Sequence, residues 1–365
     1  MTSPAVTVLM SVCNGEAYLR DAIDSILTQS YEDFELLVVD DGSVDGTGSI
    51  LASYADRRIR LLRNAENLGL TRSLNIGLRE ARGALIARLD ADDISYPHRL
   101  TRQVRFLEAH PDVAALGTQF VSLDARGRRR PLHLWMRCQT ALGIRWQLMF
   151  ENAFVHSSMM FRRDTVLKQF SGYDESFRTN QDFELWSRLA CEHPLRNLGE
   201  ALVGVRGRPS SVSTRYSLES VGKVGDILVA NCAAFIGAGD IAAAGADALV
   251  RLTSPVVHPP PYNIRHLIQW IDESYRIFTE RFPGAEETSE IRAQAASLIA
   301  RTASLCASYA PLAMSRWYLE SARYHLPTFV RGAARFALTS ARAAFSRSPV
   351  QSAASKPETS KQEQP

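Results

Sequence analysis

Residues 83–93, GALIARLDADD, decide which fold this chain can adopt. The run 83–89 is short and mainly apolar, which is typical of a strand that is covered on both faces of a parallel sheet. Three carboxylates follow it, at Asp90, Asp92 and Asp93. Ligands of open α/β sheets bind beyond the carboxyl ends of the strands. The stretch therefore predicts an acidic ligand site at a strand end, although a solvated acidic loop is the alternative for these residues alone.

A second strand that ends in acids lies upstream, where the mainly apolar residues 34–39 lead into Asp40 and Asp41. Further strands are predicted at 6–12 and 59–63, and helices at 18–29, 47–54 and 70–81. This alternation of strands and helices is typical of a parallel sheet with right-handed crossovers. Two strands of this sheet that end in carboxylates predict a nucleotide crevice. Hard oxygen ligands suit Mg²⁺ or Mn²⁺, and either ion bridges readily to a diphosphate.

Other nucleotide sites are excluded by missing motifs. No Gly-x-Gly-x-x-Gly follows the first strand, and no Gly-Lys-Ser/Thr occurs anywhere, so a dinucleotide site and a P-loop are not expected. The formal net charge of +3 is small and gives no reason to expect nucleic acid as a partner.

Taken together, the motifs resemble the inverting family 2 glycosyltransferases of the GT-A fold, over about residues 5–206. The matching segments are residues 8–16, 25–31, 34–47, 63–70, 75–78, 82–93, 97–100, 172–177 and 181–189. The resemblance implies an α/β fold with a mostly parallel sheet flanked by helices, followed by an α-helical C-terminal region. It also implies a nucleotide diphosphate sugar as the donor substrate.

The resemblance implies a set of donor-binding residues, which are Ser11, Cys13, Glu16, Asp41, Asn67, Arg72 and Asp90. Asp41 is implied to accept a hydrogen bond from the nucleotide base, beside Asp40, which supports the turn. Asp92 is implied to ligate a Mg²⁺ or Mn²⁺ ion on the diphosphate. Asp90 completes the Asp-x-Asp motif as a second metal residue and contacts the nucleotide sugar, with Asp93 behind it.

Asp182 is implied to be the catalytic base, which removes a proton from the acceptor hydroxyl as that oxygen attacks the anomeric carbon. A positioned carboxylate contributes about 10²–10⁴-fold to such a step. A metal offsets the charge that grows on the leaving diphosphate. For Asp182 alone, the alternative is an acid in the first turn of a helix over 182–190 that stabilises the helix dipole.

Three positions qualify the resemblance. Cys13 stands where the family usually has an aromatic residue, and base–aromatic stacking contributes about 1–3 kcal/mol, so donor binding could be weaker or the base different. Gln181 stands where an acid often precedes the base, which removes a like charge and predicts a more fully ionised Asp182. His156 occupies a position that is often His in the family, and contact with substrate and a purely structural role both remain open.

Four regions are predicted along the 365 residues: a catalytic domain over 1–216, a helical accessory domain over 217–328, a basic amphipathic helix over 329–346 and a disordered tail over 347–365. Within the accessory domain, helices are predicted at 219–235, 241–252, 264–281 and 286–308. Its larger aromatic residues are expected in a core rather than as sugar platforms; they are Trp270, Tyr275, Phe278, Trp317 and Tyr324.

The remaining composition bears on location. The five cysteines form no Cys-x-x-Cys pair, and no apolar run approaches the roughly 20 residues that span a bilayer. A cytoplasmic protein is therefore expected. For the helix 329–346, peripheral contact at the inner face of the membrane is slightly favoured, and a soluble helix end is the alternative. The run RGRRR at 126–130 is expected at a hairpin tip, and contact with an anionic acceptor or a membrane is the alternative.

The sequence therefore predicts an inverting, metal-dependent, hexosyl-transferring glycosyltransferase. It would move a sugar from a nucleotide diphosphate donor, expected to be UDP-linked, to a hydroxyl of a cell-surface glycan or glycolipid. Sugar selectivity is expected from segments 99–103 and 150–156. A sugar nucleotidyltransferase is the first alternative, but it needs a basic Gly-rich loop where this chain has CNGE at 13–16. A catalytically degenerate nucleotide-sugar-binding or scaffold protein is the second.

Overall fold

The computed structural model describes residues 3–130, 138–207, 217–253, 264–283 and 285–306. The chain divides into two units, Met1–Ile291 and Arg292–Pro365. The helix expected at 329–346, the tail expected at 347–365, and Trp317 and Tyr324 all lie outside the described residues. The predicted domain boundaries stay predictions.

The described part of the first unit contains one eight-stranded sheet with the order β3-β2-β1-β4-β7-β6-β8-β5. The strands are β1 (Val6–Val12), β2 (Phe34–Asp40), β3 (Ile59–Arg63), β4 (Leu85–Arg88), β5 (Ile94–Ser95), β6 (Ala115–Leu123), β7 (Met160–Arg162) and β8 (Leu195–Arg206). The pairs β1/β2, β2/β3, β1/β4 and β6/β8 are parallel, whereas β7 is antiparallel to both β4 and β6, and β5 is antiparallel to β8. The sheet is therefore mostly parallel, as predicted.

The helices follow the apolar spacing of the sequence. They are α1 (Leu19–Leu27), α2 (Thr47–Ala52), α3 (Leu70–Glu80), α4 (Arg99–Ala109), α5 (Ala141–Leu148), α6 (Gln181–Glu192), α7 (Ser217–Ile236), α8 (Gly239–Thr253), α9 (Ile264–Arg281) and α10 (Ala285–Cys306). In α1, for example, Leu19, Ile23 and Ile26 recur at helical spacing and are buried. Every helix predicted within the described residues is present, with ends that differ by a few residues.

Strand direction places the site. Every residue of β1 and β2 is buried, and their register runs from Val6 opposite Phe34 to Val12 opposite Asp40, so both strands end at one edge of the sheet. Because β7 is antiparallel to β4 and β6, the strands β4, β6 and β8 run in the same direction as β1. The carboxyl ends of these five strands therefore lie at one edge of the sheet, which we call the catalytic edge.

The helices α8 and α9 belong to the core of the first unit. Trp270 and Phe278 are buried, as predicted, and their rings lie 4.8 Å from Phe150 and 5.6 Å from Trp146. A Cβ atom at Gly245 would lie 2.4 Å from the Trp270 ring, so only a glycine fits there without a shift. Among the described residues, no helix is both long and apolar enough to cross a membrane.

Candidate active site

Two loops at the catalytic edge are hydrogen-bonded to each other. The Asn14 amide donates to Ser43 Oγ at 2.9 Å, and the Val44 amide donates to Asn14 Oδ1 at 3.0 Å. The Gly46 amide donates to Glu16 Oε2 at 2.7 Å. Glu16, predicted to bind the donor, is therefore placed at the rim of this edge with its carboxylate on the neighbouring loop.

Asp41 lies beneath the loop that leads into α3. Its Oδ1 accepts from Asn64 Nδ2 at 2.8 Å and from the Leu68 amide at 2.9 Å, and its Oδ2 accepts from the Gly69 amide at 2.9 Å. Only 2% of the residue is exposed. Asp41, which is predicted to bind the nucleotide base, thus also holds the loop at residues 64–69 in place.

Cys13 and Asn67 are in direct contact with each other. Asn67 Nδ2 donates to Cys13 Sγ at 3.0 Å, and both residues are exposed. Ser11, predicted with them, is 8% exposed on β1 and pairs in register with Val39. Arg72 lies on α3 with its guanidinium 3.4 Å from Glu175. The structure therefore brings Cys13 and Asn67 together, whereas Arg72 contacts another loop.

The acids after β4 are held by a hydroxyl and a buried cation. Ser157 Oγ lies 2.9 Å from Asp90 Oδ2 and 2.5 Å from Asp93 Oδ2. The other oxygen of Asp90 accepts from Arg88, which is fully buried. Burial, the largest single effect, would raise the pKa of Asp90, but the charge of Arg88 and the hydrogen bonds from Ser157 and Arg88 are among the effects that together outweigh it, and the pKa is lowered.

Asp93 is the most buried acid of this loop, with 3% of its surface exposed. Burial, together with the charges of Asp90 and Asp92, raises its pKa to about 8. The three acids therefore lie within electrostatic range of one another, as the sequence predicted.

Arg206, at the end of β8, was not identified from the sequence, although it contacts three segments of the site. Its amide donates to Asp93 Oδ1 and its Nε to the Asp92 carbonyl, both at 2.9 Å. Nη2 donates to Asp21 Oδ2 at 3.2 Å, and the guanidinium lies 4.4 Å from the Tyr18 ring centroid. The loop after β4 is thereby fixed to helix α1 and to the strand β8.

Asp182 lies in the first turn of α6, half-buried, with Oδ2 accepting from Asn152 Nδ2 at 2.9 Å. Burial raises the pKa of Asp182, and the charge of Asp90 adds to that effect, while the Asn152 hydrogen bond acts against it. Asp182 is therefore less readily ionised than an exposed carboxyl group, because of its burial. The predicted effect of Gln181, which removes a neighbouring like charge, stays a prediction.

His156 has a protein partner. Its Nε2 lies 2.9 Å from the hydroxyl of Tyr173, and its ring packs edge-on to Trp186. Burial, followed by the charge of Arg88, lowers the pKa of His156 to about 3, so the ring is neutral near pH 7. These contacts support a structural role for His156, which the sequence left open beside contact with substrate.

Helix α3 holds segment 171–180, which leads into α6. Thr71 Oγ1 donates to the Phe177 carbonyl at 2.6 Å. Asn75 donates to the carbonyl of Tyr173 and accepts from its amide, both at 2.9 Å. The position of the first turn of α6 therefore depends on side chains of α3.

The prediction that segment 99–103 selects the sugar is wrong for Arg99 and Gln103. Arg99 and Gln103 are fully buried on α4, where Arg99 donates to the carbonyls of Arg88 and Met159 and Gln103 to those of Leu116 and Ser158. These side chains bind main-chain carbonyls in the interior and cannot select a sugar by direct contact.

The acids suit a hard cation that is shared with a ligand. Among the described residues, no three His, Cys, Asp or Glu side chains form a group that could hold a metal ion alone. Mg²⁺ in nucleotide sites is usually held by one or two carboxylates together with phosphate oxygens and water. The pair Asp90 and Asp92 fits that pattern.

Comparison with known proteins identifies the family. A model described as Glycosyl transferase family 2 matches residues 7–170. The putative glycosyltransferase EpsE of Bacillus subtilis is 36% identical over 229 residues, which cover 60% of this chain and 80% of that protein. This chain belongs to glycosyltransferase family 2. The O-antigen biosynthesis glycosyltransferase WbnJ of Escherichia coli is 32% identical over 212 residues, covering 55% of this chain and 79% of that protein.

Solved structures show the same fold. TarS 1–349 of S. aureus in complex with UDP-GlcNAc has a TM-score of 0.51 at 16% identity, over 95% of this chain and 91% of that chain. The mannosyltransferase PcManGT of Pyrobaculum calidifontis in complex with GDP-Man and Mn²⁺ has a TM-score of 0.50 at 19% identity, over 95% and 89%. The predicted GT-A fold and the predicted enzyme class, glycosyltransferase, are confirmed.

Proposed function

We propose that this glycosyltransferase is inverting and metal-dependent. It transfers a hexosyl residue from a UDP-sugar to a hydroxyl group of a cell-surface glycan or a lipid-linked acceptor. The observation that carries the proposal is the placement of Asp182, whose carboxylate is held by Asn152 and lies within electrostatic range of Asp90. Two carboxylates from different segments of the chain, the proposed base and a proposed ligand of the metal on the diphosphate, thus lie close enough to influence each other.

Asp182 acts as the general base. Its carboxylate takes the proton of the acceptor hydroxyl while that oxygen forms a bond to the anomeric carbon, and the bond from this carbon to the diphosphate breaks. A single displacement of this kind inverts the anomeric configuration. The raised pKa brings the carboxylate closer to neutral pH, which improves a general base as long as it stays ionised.

Asp92 and Asp90 are the residues that would hold Mg²⁺ or Mn²⁺. The ion, when bound, offsets the charge that develops on the leaving diphosphate. Ser157 and Arg88 keep Asp90 in place, and Arg206 fixes the backbone at Asp92. The Mn²⁺ in the PcManGT complex supports this proposal.

The donor nucleotide would lie beside the hydrogen-bonded pair Cys13 and Asn67, above Asp41, with Ser11 and Glu16 on its flank and Arg72 at its far end. UDP-GlcNAc bound to TarS supports a UDP-sugar, although GDP-Man bound to PcManGT shows that the fold also accepts another nucleotide. The name of WbnJ supports a cell-surface glycan as the acceptor.

Calorimetric titration with UDP, GDP and dTDP, each with Mn²⁺ and with EDTA, tests the donor site. We expect metal-dependent binding of UDP that Asp92→Asn abolishes. Asp164→Asn is the matched control, because Asp164 pairs with Lys168 at 2.8 Å, away from the catalytic edge. If the wild type binds no nucleotide under either condition, the donor-site assignment is refuted.

Slow transfer of the sugar to water tests the chemistry without a known acceptor. ¹H NMR at early times should show the free sugar with inverted anomeric configuration. Asp182→Asn should lower the rate by about 10²–10⁴-fold and leave UDP–Mn²⁺ affinity unchanged. Retained configuration, or an Asp182→Asn variant with the wild-type rate, would refute the mechanism. Metal-dependent binding without any turnover would favour the scaffold alternative.

A further inference from the structure

The cationic run after β6 forms an ordered turn, as predicted for a hairpin tip. We call residues 124–130 the basic turn. Asp124 Oδ1 accepts from the amides of Arg126 and Arg128, both at 2.9 Å, and Gly127 has a φ of +75°. These hydrogen bonds fix the backbone, so the arginine side chains project from a defined support.

The basic turn emerges at the catalytic edge, because β6 runs parallel to β8 and in the direction of β4. A single residue links it to the acidic loop. Arg206 Nε donates to the Asp92 carbonyl at 2.9 Å, and Nη1 of the same guanidinium donates to the Ala125 carbonyl at 3.0 Å. The same guanidinium of Arg206 therefore contacts both the basic turn and the backbone of Asp92, the proposed metal ligand.

Two of the four arginines have local partners. Arg128 Nε bonds to Asp124 Oδ2 at 2.9 Å, and the Arg129 guanidinium lies 5.9 Å from the Tyr96 ring centroid. In the part of the chain that the structure describes, no acid lies within ion-pair distance of Arg126 or Arg130, and both are exposed. Within the described residues, two positive charges are thus left to attract an anion.

We propose that the basic turn binds an anionic group, a phosphate or a carboxylate, carried by the acceptor. The guanidinium fork matches both groups in a bidentate manner. In the proposed function Asp92 would hold the cation that neutralises the donor diphosphate, so a further anion beside that site would belong to the other substrate. The inference rests on the proposed function, since it takes Asp92 and Asp182 to mark the site of transfer.

Binding measurements with two pairs of variants test the proposal. Arg126→Gln/Arg130→Gln removes two charges from the turn, and Arg79→Gln/Arg105→Gln removes two exposed charges from α3 and α4. The probes are tetragalacturonate, inorganic triphosphate and neutral maltotetraose, titrated in EDTA without nucleotide. UDP affinity with Mn²⁺ is measured in parallel.

We expect the wild type to bind one anionic probe, and the probe that binds distinguishes a carboxylate from a phosphate. The turn variant should bind it about tenfold more weakly, whereas the control variant should change by less than about twofold. UDP affinity should be equal in all three proteins. The neutral probe should not distinguish the variants.

Several results would overturn the proposal: no binding of either anionic probe to the wild type, equal losses in both variants, or weaker UDP binding in the turn variant. Vesicles of phosphatidylglycerol provide the last comparison. If the turn variant loses vesicle binding alone, the turn meets a membrane and not the acceptor. If the wild type does not bind UDP with Mn²⁺, the proposed function is refuted. Binding of an anion to the turn would then not identify an acceptor site.

Discussion

Replacing Asp41 with Asn should destabilise the protein before any nucleotide is added. The carboxylate accepts three hydrogen bonds, from Asn64 Nδ2, the Leu68 amide and the Gly69 amide, and it is almost completely buried. An amide side chain has one oxygen, so its NH₂ group must face at least one of these donors.

The contacts set the size of the effect. A hydrogen bond to a charged group contributes about 1.5–3 kcal/mol, and a neutral one about 0.5–1.5 kcal/mol. Asp41→Asn loses one charged bond outright and weakens the others, so we expect a loss of about 2–4 kcal/mol in the free energy of unfolding. At about 2–4 °C per kcal/mol for a domain of this size, Tm should fall by about 4–16 °C.

Calorimetric melting of the nucleotide-free protein measures this loss, and hydrogen exchange at Leu68 and Gly69 locates it. Asp164→Asn, at an exposed ion pair, should leave Tm within about 2 °C of wild type. If Asp41→Asn also stays within about 2 °C and its two amides exchange at the wild-type rate, the carboxylate does not hold the loop. Its role would then be limited to the nucleotide.

Two further predictions follow from single contacts. Asn152→Ala removes a hydrogen bond that lowers the pKa of Asp182, so the pKa should rise further. The acidic limb of the pH–rate profile, where the base becomes protonated, should therefore move to higher pH. An unmoved limb would exclude Asp182 as the titrating base. Gly245→Ala puts a Cβ against Trp270 and should lower stability by about 1–3 kcal/mol, whereas Gly225→Ala in α7 meets open space and should raise it by up to about 1 kcal/mol. Denaturant unfolding of both variants decides this, and equal effects would refute the packing argument.

The fold was predictable because its signals are local. Apolar runs at 6–12 and 34–39 and helical spacing at 18–29 each lie within one segment, and the alternation of strand and helix then determines parallel pairing. The acids at the strand ends could be placed at one edge for the same reason. Every predicted element of the described catalytic region is present in the structure.

The partners of those acids could not be predicted, because they come from distant segments that carry no motif. Ser157, Asn152 and Arg206 lie 67, 30 and 114 positions from the residues they bind, at Asp90, Asp182 and Asp92. An isolated serine, asparagine or arginine has too many possible roles for its spacing to reveal one.

The error at Arg99 and Gln103 has the opposite cause. Polar residues close to a site motif in sequence are easily assumed to face the ligand. Here both side chains turn inward to satisfy buried carbonyls, which would cost about 1–3 kcal/mol each if left without a donor. Whether a polar side chain is buried cannot be predicted from its closeness in sequence to a site motif.

The contacts of α3 limit how this enzyme can be recombined with its relatives. The helix begins beside the amides that Asp41 binds, and Thr71 and Asn75 hold segment 171–180 about one hundred positions later. A chimera that exchanges residues 64–80 alone would pair a new donor-side loop and α3 with a base segment shaped for the old ones. The smallest exchangeable unit therefore combines residues 64–80 with residues 171–182, and libraries built from such paired segments should retain activity more often than libraries cut between them.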